Sequence, residues 1–282
     1  MGAGYLVLDI CCVIMRQDPY FTYGPSSHPL PPHLASLGPL TLDTYRGLTA
    51  FAGVVAALHT YFSVDRAVRG LLLGPRLLGT RGELWHYPTI FGAFANVADR
   101  GLAGFWGGWW HQTFRLGFAA PARWLVRTAR LLPAASPAAR LAVPTTAFLQ
   151  SAFMHAAGSL CSLPPRTHWW SPPLFFLAQA AGVALQTRLC AALPAAARGR
   201  VPRVGRRAGN LAFVAVWLLA TQRLFVDDVS RAGLWLFEPV PVSVVRTLGW
   251  GGPGDAAVWR WDRDNFPRWH SGRHWWESGL RL

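Results

Sequence analysis

Apolar and polar positions divide this chain into long greasy runs separated by arginine-rich connections. Four runs are apolar and close to the ~20 residues a membrane-crossing helix needs: Tyr45–Val64, Leu141–Cys161, Pro173–Leu193 and Ala208–Val226. Each predicts a helix. A shorter apolar run, Tyr5–Met15, resembles the end of a spanning helix whose beginning is missing, so the chain reads as N-terminally short. Gly233–Leu248 is interrupted by Glu238, Pro239 and Pro241 and reads as a weaker spanner or a broken helix. Tyr87–Ala103 carries Pro88, Asn96, Asp99 and Arg100, too many polar groups to face lipid. It is expected as a re-entrant or interior-facing segment, which exists at membrane depth only when enclosed by protein.

Charge tests that division. The formal charge of +14 comes from arginine alone, and charged residues make up 14% of a sequence that is 52% hydrophobic. Arg66, Arg69, Arg76 and Arg81 follow the first span, and Arg115, Arg123, Arg127, Arg130 and Arg140 precede the second. "RGRVPRVGRR" (198–207) lies between the third and fourth, whereas the loop between the second and third holds only Arg166. Assigning the arginine-rich loops to the cytosol lets the four spans alternate in direction. It also makes Gly82–Phe118 enter and leave on the cytosolic side, in keeping with a re-entrant segment. Arginines interspersed among apolar runs argue for topology rather than nucleic-acid binding. Cys11, Cys12, Cys161 and Cys190 have neither metal nor redox spacing and read as apolar helix residues.

The fold class is therefore all-α and polytopic, with a single membrane-embedded domain over 1–282. Within it, His155 lies well inside an apolar span, where an ionisable group is costly and usually functional. Ser151 and Ala152 precede it by one turn, and Gly158 and Ser159 follow by one, which leaves volume beside the imidazole. The competing reading is that the small residues admit a neighbouring helix, with His155 hydrogen-bonded across the interface. The run "FWGGWWHQTFR" (105–115) poses a similar choice. On a continuous helix Trp106, Trp109 and Trp110 would share one face with Thr113. Gly107, Gly108, His111, Phe114 and Arg115 would share another. An interfacial aromatic belt accounts for the tryptophans; it does not account for a glycine-flanked His111 followed by Gln112.

These residues resemble the signature of the wax synthase-like branch of the membrane-bound O-acyltransferases, common in fungi. "FWGGWWHQTFR" is similar to its "FWGRRWHQ.FR" run, and "FLQSAFMH", ending in His155, to its later membrane-embedded histidine. "WHYPTIFGAF" and "PVPVSVVRTLGW" fit the same pattern, so the resemblance covers about 85–250. It implies acyl transfer from acyl-CoA, as co-substrate, to the hydroxyl of a lipophilic alcohol. That alcohol is either a fatty alcohol or a hydroxylated terpenoid or polyketide taking a short acyl group. No bound cofactor or metal is implied. His155 is expected as general base, with His111 orienting or donating to the thioester carbonyl. Trp106, Trp110, Gln112, Ser151 and Ser159 are expected along the substrate path, and Arg115 at the CoA phosphates. The partners are the bilayer, acyl-CoA and the alcohol, and the location implied is the endoplasmic reticulum membrane.

The rival reading is a non-enzymatic helical membrane protein, either a transporter or an electron carrier whose haem is held by His59 and His86 with His111 or His155. His270, His274 and Glu277 would reach a metal if their segment were helical, although a Trp/Arg-rich interfacial tail accounts for them better. "WGGPGD" is a Gly/Pro turn rather than a phosphate loop.

Overall fold

A computed structural model describes residues 2–131, 133, 136–162, 166–194, 200–252, 254–261 and 268–281. Arg198, and residues 262–267 of the Trp/Arg-rich tail, lie outside them. The helices are α1 (Gly2–Gln17), α2 (Pro19–Tyr23), α3 (Pro32–Ala35), α4 (Pro39–Ala67), α5 (Gly74–Leu78), α6 (Ala95–Gly104), α7 (Arg115–Arg127), α8 (Pro137–Ser162) and α9 (Ser171–Ala192). Then come α10 (Arg203–Thr221), α11 (Arg223–Arg231) and α12 (Val244–Thr247). The small β1 (Arg268–His270) and β2 (Gly279–Arg281) pair antiparallel. This is an all-α membrane protein.

By length and composition, the stretch Pro39–Gly82, which contains α4, and helix α9 can cross a membrane, and α10 with α11 makes a third if the bent pair is one span. The first two expected spans lie within α4 and α8, the third lies in α9 except for its last residue, and the fourth is divided between α10 and α11 at Gln222. The second, in α8, is long enough but is not among the helices apolar enough to qualify, because Pro144, Gln150, Ser151 and His155 dilute it. The chain clusters into two compact units. One comprises Met1–Pro88, Ser159–His168 and Val226–Leu282; the other comprises Thr89–Gly158 and Trp169–Phe225.

In the first unit α1 packs on α4. The buried stripe of α4 is small: Gly47, Thr49, Ala50, Gly53, Ala56 and Thr60. Small residues let backbones approach closely, and the Met15 methyl lies 2.8 Å from where a Gly53 side chain would begin. Leu8, Cys12, Ala56 and Val240 close one part of this core, and Cys11, Met15, Phe21 and Ala50 another. All four cysteines are free thiols.

What the hydropathy pattern did not reveal is the ionic core of this unit. Glu238, whose side chain has no exposed surface, pairs with Arg16 at 2.5 Å, Arg246 at 2.9 Å and Arg260 at 3.0 Å. Asp255 lies 2.7 Å from Arg246 and 3.1 Å from Arg260. Asp9 accepts from the Val245 backbone amide at 2.9 Å. Gly233–Leu248 is therefore not a spanning helix: Glu238 holds it in place within the unit, and it folds as a short 3₁₀ turn, an extended stretch and α12. Removing one member of a buried ion cluster strands the others, at a cost of roughly 3–5 kcal/mol. Glu238→Ala is expected to lower the detergent melting temperature by many degrees, followed by intrinsic tryptophan fluorescence. An unchanged melting temperature would show that the cluster contributes nothing.

Candidate active site

The second unit carries both histidines singled out from the sequence. The run 105–115 is not a continuous helix. Phe105–Trp109 forms one π-turn, closed by the Trp110 amide donating to the Phe105 carbonyl at 2.7 Å, five residues back. Trp110 then swings to an extended conformation, and α7 starts afresh at Arg115. Such single π-turns are frequent at functional sites. The break moves His111 off the face it would share with Gly107 and Gly108.

The glycines of the motif consequently have another purpose. Gly92 donates its amide to the Trp109 carbonyl at 3.0 Å, and a Cβ on Gly92 would sit 2.0 Å from the Gly108 carbonyl oxygen. A Cβ on Gly108 would meet Arg100 Nη2 at 2.2 Å. Asn96 Nδ2 donates to the Gly108 carbonyl at 3.2 Å, and Arg100 donates to Asn96 Oδ1 at 2.9 Å. These contacts hold the π-turn against the start of α6. Gly107, by contrast, faces open space.

The polar residues that disqualified Tyr87–Ala103 from facing lipid are used internally. At Gly101 φ is +58°, which breaks α6. The freed Leu102 amide donates to Gln186 Oε1 of α9 at 2.8 Å. Gln186 Nε2 donates to Asn210 Oδ1 at 3.1 Å, and Asn210 Nδ2 to the Ala98 carbonyl at 2.8 Å. Asp99 takes a two-pronged bond from Arg207, at 2.7 and 3.0 Å. The hydrogen bonds from that guanidinium hold its carboxyl below the usual carboxylate range. This pair ties α6 to the arginine-rich start of α10.

His155 on α8 stacks on Phe176 of α9, with ring centroids 4.8 Å apart, and meets the edge of Phe225 at 5.1 Å. His111 lies 5.3 Å from the Trp110 ring and 5.7 Å from Phe114. Trp106 links the two: its ring is 5.8 Å from Trp110, 5.8 Å from Phe148 and 6.1 Å from both Phe175 and Phe176. A continuous aromatic wall thus runs from His111 through Trp110, Trp106 and Phe176 to His155. Burial lowers the pKa of His111, which lies in the loop before α7 and outside the spanning helices, and so favours its neutral form. Among the described residues, neither imidazole takes part in a hydrogen bond, so His155 does not show the interface bond of the competing reading.

The other expected site residues divide. Gln112 is fully engaged: its amide donates to Ile90 at 2.7 Å, its Nε2 to the Trp110 carbonyl, and its Oε1 accepts from Arg115 Nη1 at 3.0 Å. It fixes the loop rather than lining open space. Arg115, exposed at the start of α7, faces solvent. Ser151 is half-buried one turn before His155. Ser159 follows His155 by one turn on α8 and is buried, its carbonyl accepting from Thr167 at 2.8 Å. His270 lies on β1, and His274 caps a 3₁₀ turn containing Glu277, so their spacing is not helical. Phe176 and Phe225, the direct neighbours of His155, were not singled out from sequence, because nothing in an apolar run says which phenylalanine faces a histidine.

Comparison with known sequences finds similarity over the segment that carries both imidazoles. Residues 87–178 match the Membrane bound O-acyl transferase family, a segment that contains both His111 and His155. The acetyltransferase pyr8 of Aspergillus fumigatus is 28% identical over 162 residues, 56% of this chain and 37% of that protein. The matched stretch thus spans little more than a third of that curated relative. No solved structure matches significantly. Over this segment the chain is similar to the membrane-bound O-acyltransferases.

The glycine contacts predict an asymmetric response. Gly92→Ala, which drives a methyl into backbone, is expected to lower stability by about 1–3 kcal/mol, read as a melting-temperature drop in detergent. Gly107→Ala is expected to leave it unchanged. Equal effects of the two would contradict the close approach at Gly92.

Proposed function

We propose that this protein is an acyl-CoA-dependent O-acyltransferase of the wax synthase-like type that esterifies a lipophilic alcohol. The observation that carries the reading is the pair of imidazoles without protein hydrogen bonds, joined by one aromatic wall inside the family-matched segment. The similarity to a protein named as an acetyltransferase supports an acyl group as what is moved.

In the step proposed, His155 accepts the hydroxyl proton as the alcohol oxygen attacks the thioester carbonyl carbon. His111, in its neutral tautomer, donates an N–H to the carbonyl oxygen as negative charge develops there. The tetrahedral intermediate collapses, the carbon–sulfur bond breaks, and the sulfur takes the proton back from His155, giving ester and free CoA. A thioester is already activated, so no acyl-enzyme is required. Trp106 and Trp110 exclude water from the path, and Ser151 borders it. Arg115, exposed and oriented by Gln112, meets the CoA phosphates through charge-assisted bonds. The setting proposed is the endoplasmic reticulum membrane, with the arginine-rich loops on the cytosolic side where CoA is present.

General-base catalysis contributes roughly 10²–10⁴-fold. His155→Ala is expected to lower ester formation by that factor in microsomes given acyl-CoA and alcohol, with product read by mass and membrane insertion unchanged. A variant retaining most of the activity would remove His155 from the mechanism. Arg115→Ala is expected to raise KM for acyl-CoA several-fold with kcat little changed; an unaltered KM would remove Arg115 from the CoA site.

A further inference from the structure

Helix α9 carries two glutamines on its buried face, and they are used differently. Gln186 is bonded at both ends of its amide, to the Leu102 backbone and to Asn210. Gln179 has no exposed surface. Its Nε2 donates to Thr221 Oγ1 at 3.0 Å and to the Phe175 carbonyl at 3.3 Å, but its Oε1 has no partner. Thr221 decides which end of the amide is which. Its hydroxyl proton goes to the Trp217 carbonyl at 2.8 Å, so it accepts from Gln179, and the group facing it is the NH₂. The orphan is therefore the carbonyl oxygen, which by itself costs about 1–3 kcal/mol to bury.

Two further buried donors pack against the same helix. The indole N–H groups of Trp106 and Trp217 are likewise without a partner. Trp106 packs on Phe175 and Phe176, one turn before Gln179. Trp217 lies against Gly182, one turn after; a Cβ there would come within 2.4 Å of the indole nitrogen. Phe176, on which His155 stacks, precedes Gln179 by three residues, about 4.5 Å of helix rise.

We propose that Gln179 is a specificity-determining residue whose Oε1 takes a second hydroxyl of the acceptor alcohol, with the indole N–H groups packed against α9 as its donors. A hydroxyl both donates and accepts, so it serves the carbonyl and an indole together. The reacting hydroxyl cannot do this, because its single proton goes to His155. The proposal rests on the acyl-transfer reading. It selects acceptors with two hydroxyls over those whose only oxygen is the one esterified, since a site built to hydrogen-bond discriminates strongly against a substrate lacking the group.

The test uses full-length protein in microsomes with acyl-CoA. The acceptors are a long-chain alkan-1-ol and diols of the same chain length differing in the position of the second hydroxyl. Wild type is expected to favour at least one diol by roughly 10- to 100-fold in kcat/KM. Gln179→Met, similar in shape without the acceptor oxygen, is expected to abolish most of that preference while leaving the alkan-1-ol rate within about twofold. A wild type with no preference overturns the proposal. So does a Gln179→Met variant that lowers both substrates equally, as it would if a structural water served Oε1. If that variant fails to insert, the wild-type ratio alone decides. Transfer to neither class by inserted wild-type protein overturns the acyl-transfer reading and the proposal with it.

Discussion

Trp106 touches Phe148 on α8 and Phe175 and Phe176 on α9 while its own backbone lies in the π-turn that leads to His111. Through that one indole, the turn carrying His111 is joined to the helix carrying His155. Aromatic pairs contribute about 0.5–1.5 kcal/mol each beyond their buried area, and Trp106 makes several at once. The relative positions of the two imidazoles follow from ring packing, not from bonds to the imidazoles themselves. That leaves the ring nitrogens available for proton transfer.

The packing can form only where backbone polar groups released by the irregular turns find partners, because nothing in an apolar interior substitutes for a lost hydrogen bond. Gly101 breaks α6 and Gln186 takes up the freed Leu102 amide. The π-turn ends at Trp109, whose carbonyl accepts from Gly92. The polar residues of 87–103 are thus the means by which a non-straight segment is enclosed. Gln179 stands apart from this accounting, the one glutamine of the α9 pair with an unserved carbonyl.

The helices were legible because hydropathy reports long apolar runs directly, and His155 stood out because a titratable group in such a run is expensive. Asn96, Asp99 and Arg100 marked 87–103 as unsuited to face lipid, and each has a hydrogen-bond partner in the same unit. The π-turn was not legible: "FWGGWWHQTFR" has helical spacing, and the close approach of Gly92 to Gly108 is made by residues sixteen apart with no periodic signature. The ionic core of the first unit was hidden for a similar reason. Asp9, Arg16, Glu238, Arg246, Asp255 and Arg260 are single charges from the two ends of the chain, and their meeting depends on tertiary structure.

The central claim is that His111 and His155 act as one site. A double-mutant cycle on kcat/KM for ester formation tests it most directly, comparing His111→Ala, His155→Ala and the double variant. Residues that act as a unit are strongly non-additive, so the double variant is expected to be little worse than the poorer single one. Losses that multiply would mean that the two histidines act independently, and would contradict the account.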